Sequence, residues 1–162
     1  MTTAAVITVS DKCFVGTRED KSGPILEEHL TSLGFQVTYR AIVMDEQEQI
    51  EALLCDLADN FQIDLVMTTG GTGPAPRDVT PEATRAVIDR EMPGLAELLR
   101  IEGYKVTPFA VLSRGVAGIR KGSLIVNLAG NPKAVREGMH ILGPVLPHAL
   151  QMLGGVDLEH DQ

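Results

Sequence analysis

The hydrophobic and polar positions of this chain alternate between strand-like and helix-like spacing. Short apolar runs rich in β-branched residues predict strands, and apolar residues that recur every three or four positions predict helices. The predicted strands cover residues 4–9, 36–43, 64–68 and 123–127, with a strand-like segment within 105–116. The predicted helices cover residues 24–33, 46–60, 80–90, 93–102 and 133–153. Residues 10–23 read as a polar loop.

Strands that alternate with helices indicate an α/β fold, specifically a three-layer αβα domain with a mostly parallel sheet. We expect one domain over residues 1–153 and an acidic, frayed tail over residues 154–162. Ligands of such sheets bind at the carboxyl ends of the strands. The loops that follow the first, second, third and last predicted strands therefore share one edge, where a pocket is expected.

The charge of the chain bears on which classes of ligand and partner it can bind. A formal net charge of −8 argues against nucleic acid as a partner. Several basic residues nevertheless fall in or beside the predicted loops: Lys12, Arg18, Lys21, Arg77, Arg114, Arg120, Lys121 and Lys133. Cations kept near the loops of an acidic protein suit a small phosphorylated ligand, although exposed loops also collect charge without any ligand.

Cysteine and histidine positions indicate neither a disulfide framework nor a zinc site. Cys13 and Cys55 are too few for a framework, and the four histidines show no metal-ligand spacing. No segment approaches the roughly 20 apolar residues that span a bilayer, and the N-terminus lacks the basic region of a signal peptide. We therefore expect a cytoplasmic protein without a membrane partner.

The most informative segment is residues 65–82, which read as a buried strand, a glycine loop and a helix start. Gly70, Gly71 and Gly73 allow positive φ and close approach of a ligand to the backbone. Successive N–H groups in such a turn form an anion-binding concavity. Thr80 is the expected N-cap of the following helix, with Pro81 at its first position.

Two side chains in this segment suggest phosphate chemistry. Arg77 offers a forked cation to a phosphate, and Asp78 offers a hard oxygen to Mg²⁺. The loop is neither a Walker A motif nor a G-x-G-x-x-G fingerprint. The alternative is a strand-to-helix turn whose glycines serve backbone geometry alone.

Further candidates lie in the other loops of the predicted edge. Asp45 follows the second strand, where it either caps the next helix or joins Asp78 in holding Mg²⁺. Asp78 itself is otherwise a turn residue that bonds its own backbone. Ser113 and Arg114 can offer a hydroxyl and a guanidinium to an anion. Lys133 stands at a predicted helix start, where another phosphate can bind.

Several of these segments, taken together and in order, resemble a known family. They are Thr68-Thr-Gly-Gly-Thr-Gly73, Arg77-Asp-Val-Thr-Pro-Glu82, Met92-Pro-Gly94, Leu112-Ser-Arg114 and Gly130-Asn-Pro-Lys133. The chain resembles the molybdopterin adenylyltransferases of the MogA/MoaB type, whose fold also forms the G domain of gephyrin. The resemblance runs from the first predicted strand to the last predicted helix.

This resemblance implies a late step of molybdenum cofactor synthesis. Molybdopterin and ATP would be the substrates, AMP would pass to the terminal phosphate of molybdopterin, and Mg²⁺ would be required. The products would be adenylyl-molybdopterin and diphosphate. The resemblance also implies a homotrimer and a transient contact with the molybdenum-insertion protein.

The resemblance assigns roles to individual residues. Asp45 and Asp78 match the two aspartates used for metal and catalysis. Nucleotide and phosphate contacts are implied for Thr69, Gly70, Gly71, Thr72, Gly73 and Arg77. Molybdopterin contacts are implied for Ser113, Arg114, Gly130, Asn131, Pro132 and Lys133. Three residues lie in the family's N-terminal loop: Ser10, Asp11 and Lys21.

The chain departs from the family's pattern at Ala129, where the family usually has proline. Proline fixes φ and removes a donor, so alanine is expected to loosen this turn on the pterin side. Two alternatives to the transferase remain open at this point. One is a carrier that binds molybdopterin without modifying it, and the other is a nucleotide-diphosphate hydrolase of the same fold.

Overall fold

A computed structural model describes residues 1–155 of the chain. The expectation of a frayed tail concerns residues 154–162, and residues 156–162 of that tail lie outside the described part. Within residues 1–155, no helix is both long and apolar enough to cross a membrane.

A six-stranded sheet forms the centre of the fold, in the order β2-β1-β3-β6-β5-β4. The strands are β1 (Thr3–Val9), β2 (Gln36–Val43), β3 (Leu65–Thr69), β4 (Arg90–Glu91), β5 (Ala117–Arg120) and β6 (Ser123–Leu128). The strands β2, β1, β3 and β6 run parallel to one another, whereas β5 is antiparallel to both β6 and β4. The expected mostly parallel sheet is therefore confirmed.

Helices cover both faces of this sheet. They are α1 (Asp11–Val15), α2 (Ser22–Ser32), α3 (Gln47–Asp59), α4 (Thr80–Val87), α5 (Pro93–Tyr104), α6 (Pro132–Leu142) and α7 (Leu146–Leu153), with a 3₁₀ helix at Pro108–Leu112. Leu26 of α2 and Leu142 of α6 pack in the core on one face. Leu54 of α3 and Val87 of α4 pack in the core on the other. This arrangement confirms the three-layer αβα fold.

Strand register brings four loops to one edge of the sheet. Val9 lies opposite Val43, and Thr8 lies opposite Thr69, which in turn lies opposite Leu128. The carboxyl ends of β1, β2, β3 and β6 are therefore level. The chain leaves β1 for β2 on one side and later returns for β3 on the other. This reversal opens a crevice between β1 and β3, where α/β folds bind ligands.

The predicted polar loop over residues 10–23 was partly wrong, because α1 lies inside it. The Ser10 side chain accepts a hydrogen bond from the N–H of Cys13 (3.2 Å), and Gly16 ends the helix at φ +85°. A serine N-cap and a left-handed glycine C-cap thus flank a helix of only five residues. The polar composition of the segment obscured both signals.

The strand-like segment predicted within residues 105–116 was also wrong. Thr107 accepts a hydrogen bond from the N–H of Phe109 (3.4 Å), and Pro108 takes the first position of the 3₁₀ helix. The actual strand, β5, begins at Ala117 and turns into β6 through Lys121 at φ +51°. The helix-start signal at residues 107–108 outweighs the β-branched composition.

Two helix boundaries differ from the prediction. The helix predicted over residues 133–153 is two helices, since Pro144 lacks the N–H that would continue the first and α7 begins at Leu146. The helix predicted to reach residue 90 ends at Val87, because Ile88 turns to an extended conformation (ψ 144°). Arg90 then starts β4 and pairs with Ile119.

A buried polar network connects the sheet to the helix layer below it. The Asn127 amide donates to the hydroxyls of Thr68 and Thr84, at 3.0 Å each, and its Oδ1 accepts from the N–H of Val116 at 3.1 Å. Asn127, Thr68 and Thr84 are almost wholly buried. This network fixes the start of β5 against β6.

We predict that Asn127→Ala destabilises the fold by about 2–4 kcal/mol, because it removes three hydrogen bonds and leaves the Val116 N–H buried without a partner. The measurement is urea unfolding followed by circular dichroism. Asn60→Ala is the control, since Asn60 is exposed and, within residues 1–155, its side chain bonds only to Asp56, four residues earlier. A loss below about 1 kcal/mol would contradict this account of the network.

Candidate active site

Two cavities open at the carboxyl edge of the sheet and share part of their walls. The first, of about 390 Å³, lies between β6, α5, α6 and the 3₁₀ helix, and we call it the apolar cavity. The second, of about 750 Å³, lies over the ends of β1 and β3, and we call it the polar cavity. Gly71, Asp78, Gly130 and Asn131 line both. A ligand in one cavity can therefore reach a ligand in the other.

The glycine loop after β3 requires glycine at two positions. Gly70 has φ +102° and Gly71 has φ +69°, a region that other residues rarely adopt. A side chain at Gly70 would collide with the carbonyl oxygen of Val9, and one at Gly71 would collide with the Thr80 hydroxyl. Gly73 does not have the positive φ that was expected of it. A Cβ at this position would meet only the side chain of Asp78.

The amides of this loop are arranged for an anion. Within residues 1–155, the N–H of Gly70 donates to Leu128, whereas the N–H groups of Gly71, Thr72 and Gly73 have no protein acceptor. Consecutive unpaired amides beside a turn of positive φ form a concavity that binds phosphate-like anions. The loop therefore leaves three amides available to an anion, and its role in binding phosphate stays a prediction.

Thr80 does not cap α4 as predicted. Val79 occupies the N-cap position, and the Thr80 hydroxyl donates to the carbonyl of Gly70 at 3.0 Å. The Thr80 N–H also donates to the carbonyl of Gly71 at 3.1 Å. Thr80 thus closes the glycine loop upon itself and leaves the loop amides free.

The two glycine loops touch each other. A side chain at Gly130 would come within 3.0 Å of the Cα of Gly70, and the Thr69 hydroxyl donates to the carbonyl of Ala129 at 2.8 Å. Alanine and proline both provide that carbonyl. The contact therefore does not depend on the departure from the family's pattern, and the expected loosening at Ala129 stays a prediction.

Asp45 points into the polar cavity and does not cap α3. Glu46 occupies the N-cap position, and Asp45 Oδ2 instead accepts from the N–H of Asp11 at 2.9 Å. Partial burial raises the pKa of the Asp45 carboxyl, and the negative charges of Asp11 and Asp78 raise it further. A cation placed among these carboxylates would remove that strain.

Asp78 combines a turn role with a place at the junction of the cavities. Its Oδ2 accepts from the N–H of Ala75 at 3.0 Å, and its own N–H donates to the carbonyl of Ala75 at 2.9 Å. The turn interpretation is therefore correct for one carboxylate oxygen. Within the described residues, Oδ1 accepts no hydrogen bond and is available to a ligand.

Arg77 and Arg114 lie outside both cavities, contrary to the placement that the motif suggested. Arg77 forms ion pairs with Asp11 and Glu46. Its hydrogen bonds to Asp11 lower the pKa of the Asp11 carboxyl, and the backbone hydrogen bond from Asp45 lowers that pKa further. Arg114 braces the glycine loop, since its guanidinium donates to the carbonyls of Gly73 (2.9 Å) and Asp78 (2.7 Å). Both arginines act on loop geometry in this structure.

Most other candidates line a cavity. The polar cavity includes Ser10, Lys21, Asp45, Thr69, Gly70 and Pro132. The apolar cavity includes Thr72, Gly73 and Ser113. Asp11 and Lys133 line neither, and Lys133 is exposed on the first turn of α6. Asn131 accepts from the N–H of Ala134 at 2.8 Å and so caps that helix beside both cavities.

The structure adds residues that the sequence reasoning missed. Ala134, Glu137, Gly138 and Ile141 form one face of α6 along the apolar cavity, and Arg100 of α5 lies across from them. The signal in the sequence is the spacing of three and four residues, which places these side chains on one face of α6. On that face Glu137 is a single carboxylate among small and apolar residues. In the polar cavity the additional residues are Arg18, Glu19, Asp20 and Ser22.

The carboxylates present suit Mg²⁺. Within residues 1–155, no group of three or more His, Cys, Asp or Glu side chains forms a metal cage. Mg²⁺ is commonly held by one or two carboxylates together with substrate phosphates and water. Asp45 and Asp78, each with an oxygen that accepts no hydrogen bond in the described part, provide that donor set beside free loop amides.

Comparison with known proteins agrees with the geometry. The family model of a probable molybdopterin binding domain matches residues 5–148. A molybdopterin adenylyltransferase of Helicobacter pylori is 45% identical over 93% of this chain and 86% of its own, and that of Escherichia coli K12 is 43% identical over 95% and 86%. The crystal structure of the molybdopterin biosynthesis enzyme MoaB of Thermus thermophilus superposes with a TM-score of 0.91 at 50% identity, covering 96% of this chain and 98% of that one.

The chain therefore belongs to the molybdopterin-binding family of MogA and MoaB type. The family resemblance noted from the sequence motifs is confirmed.

Proposed function

We propose that the protein is a molybdopterin adenylyltransferase of molybdenum cofactor biosynthesis. It transfers AMP from ATP to the terminal phosphate of molybdopterin and releases diphosphate. The observation that carries this proposal is the pair of cavities that meet at Gly71, Asp78, Gly130 and Asn131. Two substrates in separate cavities with a common junction are what group transfer between them requires.

The character of each cavity assigns its substrate. Ala96, Leu99 and Phe109 make the apolar cavity suitable for a flat bicyclic ring such as a pterin. Lys21, Arg18 and the loop amides make the polar cavity suitable for the triphosphate of ATP. The reacting phosphates would then meet at the junction beside Asp78.

The chemistry needs alignment more than covalent catalysis. A phosphate oxygen of molybdopterin attacks the α-phosphorus of ATP. The bond breaks between that phosphorus and the oxygen that bridges it to the β-phosphorus. The electron pair leaves with diphosphate. The amides of Gly71, Thr72 and Gly73 orient phosphate oxygens, and the contact of Gly70 with Gly130 fixes the two loops relative to each other.

Mg²⁺ is the proposed cofactor, held by Asp45 and Asp78. Bound there, the cation would neutralise charge on the phosphate oxygens and on the diphosphate that leaves. Ser10 and Lys21 complete the nucleotide side of the site, and Ser113, Asn131 and Pro132 complete the pterin side.

Asp78→Asn should lower the turnover number by at least about 10²–10³, the usual cost of losing one group that stabilises transition-state charge. The assay incubates protein with molybdopterin, ATP and Mg²⁺ under anaerobic conditions and follows diphosphate and adenylyl-molybdopterin by chromatography. The amide can still accept from the Ala75 N–H, so the turn is retained.

Asp56→Asn is the matched control, since Asp56 lies near the C-terminus of α3 and lines neither cavity. Turnover within about threefold of wild type in folded Asp78→Asn would remove Asp78 from the reaction. Tight molybdopterin binding by wild type without diphosphate release would support the carrier instead. Hydrolysis of ADP-ribose would support the nucleotide-diphosphate hydrolase.

Glu137 offers a specific contact for the pterin. It is the one carboxylate on the α6 face of the apolar cavity, and within residues 1–155 its side chain makes no ion pair or hydrogen bond. The aminopyrimidinone edge of a pterin carries two parallel N–H donors, which a carboxylate accepts with both oxygens. Glu137 would therefore orient the ring.

Glu137→Gln is expected to weaken molybdopterin binding about 10- to 100-fold, because hydrogen bonds to a charged group contribute about 1.5–3 kcal/mol each. Affinity for α,β-methylene-ATP should change less than twofold. Calorimetry of both ligands makes the comparison, with the exposed Glu97→Gln on α5 as control. Unchanged molybdopterin affinity would exclude this contact.

A homotrimer is proposed as the assembly. Exposed apolar side chains lie close together in sequence between α5 and the end of the 3₁₀ helix: Ile101, Tyr104, Val106, Phe109, Val111 and Leu112. Phe109, the most exposed of them, has 73% of its surface accessible. Several large apolar groups within one surface segment are typical of a protein contact.

Light scattering after gel filtration should give three times the chain mass of 17.4 kDa. The double variant Val106→Asp with Val111→Asp should give monomers, since neither residue lines a cavity and two buried charges oppose assembly. Phe61→Asp controls for loss of one exposed apolar side chain elsewhere. A wild-type monomer would refute the trimer.

Further expectations accompany this function. Residues 1–153 would form one catalytic domain, and the protein would act in the cytoplasm. Its product would pass to the molybdenum-insertion protein through a transient contact.

A further inference from the structure

The guanidinium of Arg77 is committed to protein carboxylates. Its Nε donates to Asp11 Oδ2 at 2.6 Å, and its Nη2 donates to Asp11 Oδ1 at 3.1 Å and to Glu46 Oε1 at 2.9 Å. The paired contact with Asp11 is the planar, two-point geometry that only arginine provides. Arg77 lines neither cavity.

Asp11 in turn holds Asp45 from two sides. The N–H of Asp11 donates to Asp45 Oδ2 at 2.9 Å, and Asp11 Oδ1 accepts from the N–H of Asp45 at 3.0 Å. Both the backbone and the carboxylate of Asp45 are therefore fixed. In the part of the chain that the structure describes, Asp45 Oδ1 accepts no hydrogen bond, and it lies beside Gly71, where a Cβ would come within 3.0 Å of it.

These contacts tie together the loops that follow three parallel strands. Asp11 follows β1, Asp45 and Glu46 follow β2, and Arg77 follows β3. Without the guanidinium, the negative charges of Asp11 and Asp45, which two backbone hydrogen bonds hold close together, would lose the cation that pairs with Asp11. Arg77 both neutralises Asp11 and fixes its rotamer.

We propose that Arg77 is a positioning residue which, through Asp11, orients the Asp45 carboxylate toward a divalent cation. Arg77 does not itself bind phosphate. The identity of the cation as Mg²⁺ with ATP phosphates rests on the proposed function. The positioning role concerns only the Arg77–Asp11–Asp45 contacts.

The test separates metal affinity from nucleotide affinity. Mn²⁺ binding is titrated by electron paramagnetic resonance in the presence of α,β-methylene-ATP, and binding of the same nucleotide is measured by calorimetry in EDTA. Neither measurement needs molybdopterin or turnover. The variants are Arg77→Lys, Asp11→Asn and their combination.

Arg77→Lys should weaken Mn²⁺ binding about 10- to 100-fold, as is typical when a group that orients a metal ligand is lost. Metal-free nucleotide affinity should change less than twofold. Lysine keeps the charge but cannot hold both oxygens of Asp11. Asp11→Asn should act similarly, and the double variant should be no weaker than the weaker single variant, because both changes break one chain of contacts.

Arg85→Lys is the matched control, since Arg85 is equally exposed (55%) and pairs with Glu91 at 3.1 Å away from both cavities. Urea unfolding of each variant confirms that it is folded at the titration temperature. Asp11→Asn retains an acceptor for the Asp45 N–H and gives a second route to the result should Arg77→Lys unfold.

Three results would overturn the proposal. Unchanged Mn²⁺ affinity in folded Arg77→Lys would show that Asp45 is positioned without Arg77. Weakened metal-free nucleotide binding with unchanged Mn²⁺ affinity would make Arg77 a phosphate ligand. Absence of saturable Mn²⁺ binding by wild type would show that Asp45 does not bind a divalent cation, so that Arg77 could not orient it for that purpose. Failure of adenylyl transfer alongside the expected Mn²⁺ shift would refute only the proposed function.

Discussion

The close approach of two glycine loops is the constraint on which the rest of the site depends. A Cβ at Gly130 would come within 3.0 Å of the Cα of Gly70, and the Thr69 hydroxyl donates to the carbonyl of Ala129 at 2.8 Å. A larger residue at Gly130 would require the backbone at Gly70 to shift. Because the loops touch, one junction serves both cavities. In the proposed function, the two substrate phosphates meet at this junction.

Charge arrangement at this edge follows from that geometry. Parallel strands bring Asp11, Asp45 and Asp78 near one another. Partial burial raises the pKa of the Asp45 carboxyl, and the negative charges of Asp11 and Asp78 raise it further. Arg77 offsets Asp11 from outside the polar cavity, so that Asp45 and Asp78 remain for a cation. In the proposed function, these negative groups lie at a site for anionic substrates, and a metal ion together with the loop amides would mediate the contact between them.

Much of this could be predicted from local sequence. The β-branched run over residues 36–43 coincides with β2, and the glycines predicted the turn of positive φ that Gly70 and Gly71 form after β3. These features are local, since period and glycine content depend on neighbours in the chain. The errors have a different origin. Thr80 bonds to Gly70 rather than capping α4, and Arg77 meets Asp11, a residue 66 positions away.

The ion pair of Arg77 with Asp11 could not be predicted from the local sequence around Arg77, because its partner lies 66 positions away. Glu137 was missed for another reason, because it becomes notable only once its helix face is known to line a cavity. The break at Pro144 and the 3₁₀ helix at Pro108–Leu112 were, by contrast, available in the sequence, as both depend on a proline.

The most direct test of the central claim is a crystal structure of the protein with molybdopterin and α,β-methylene-ATP bound together, since that nucleotide cannot release diphosphate. The account predicts the pterin in the apolar cavity, the nucleotide in the polar cavity, and the molybdopterin phosphate facing the α-phosphorus at Asp78 and Gly130. Pterin and nucleotide competing for one cavity, or phosphates that lie away from this junction, would contradict it.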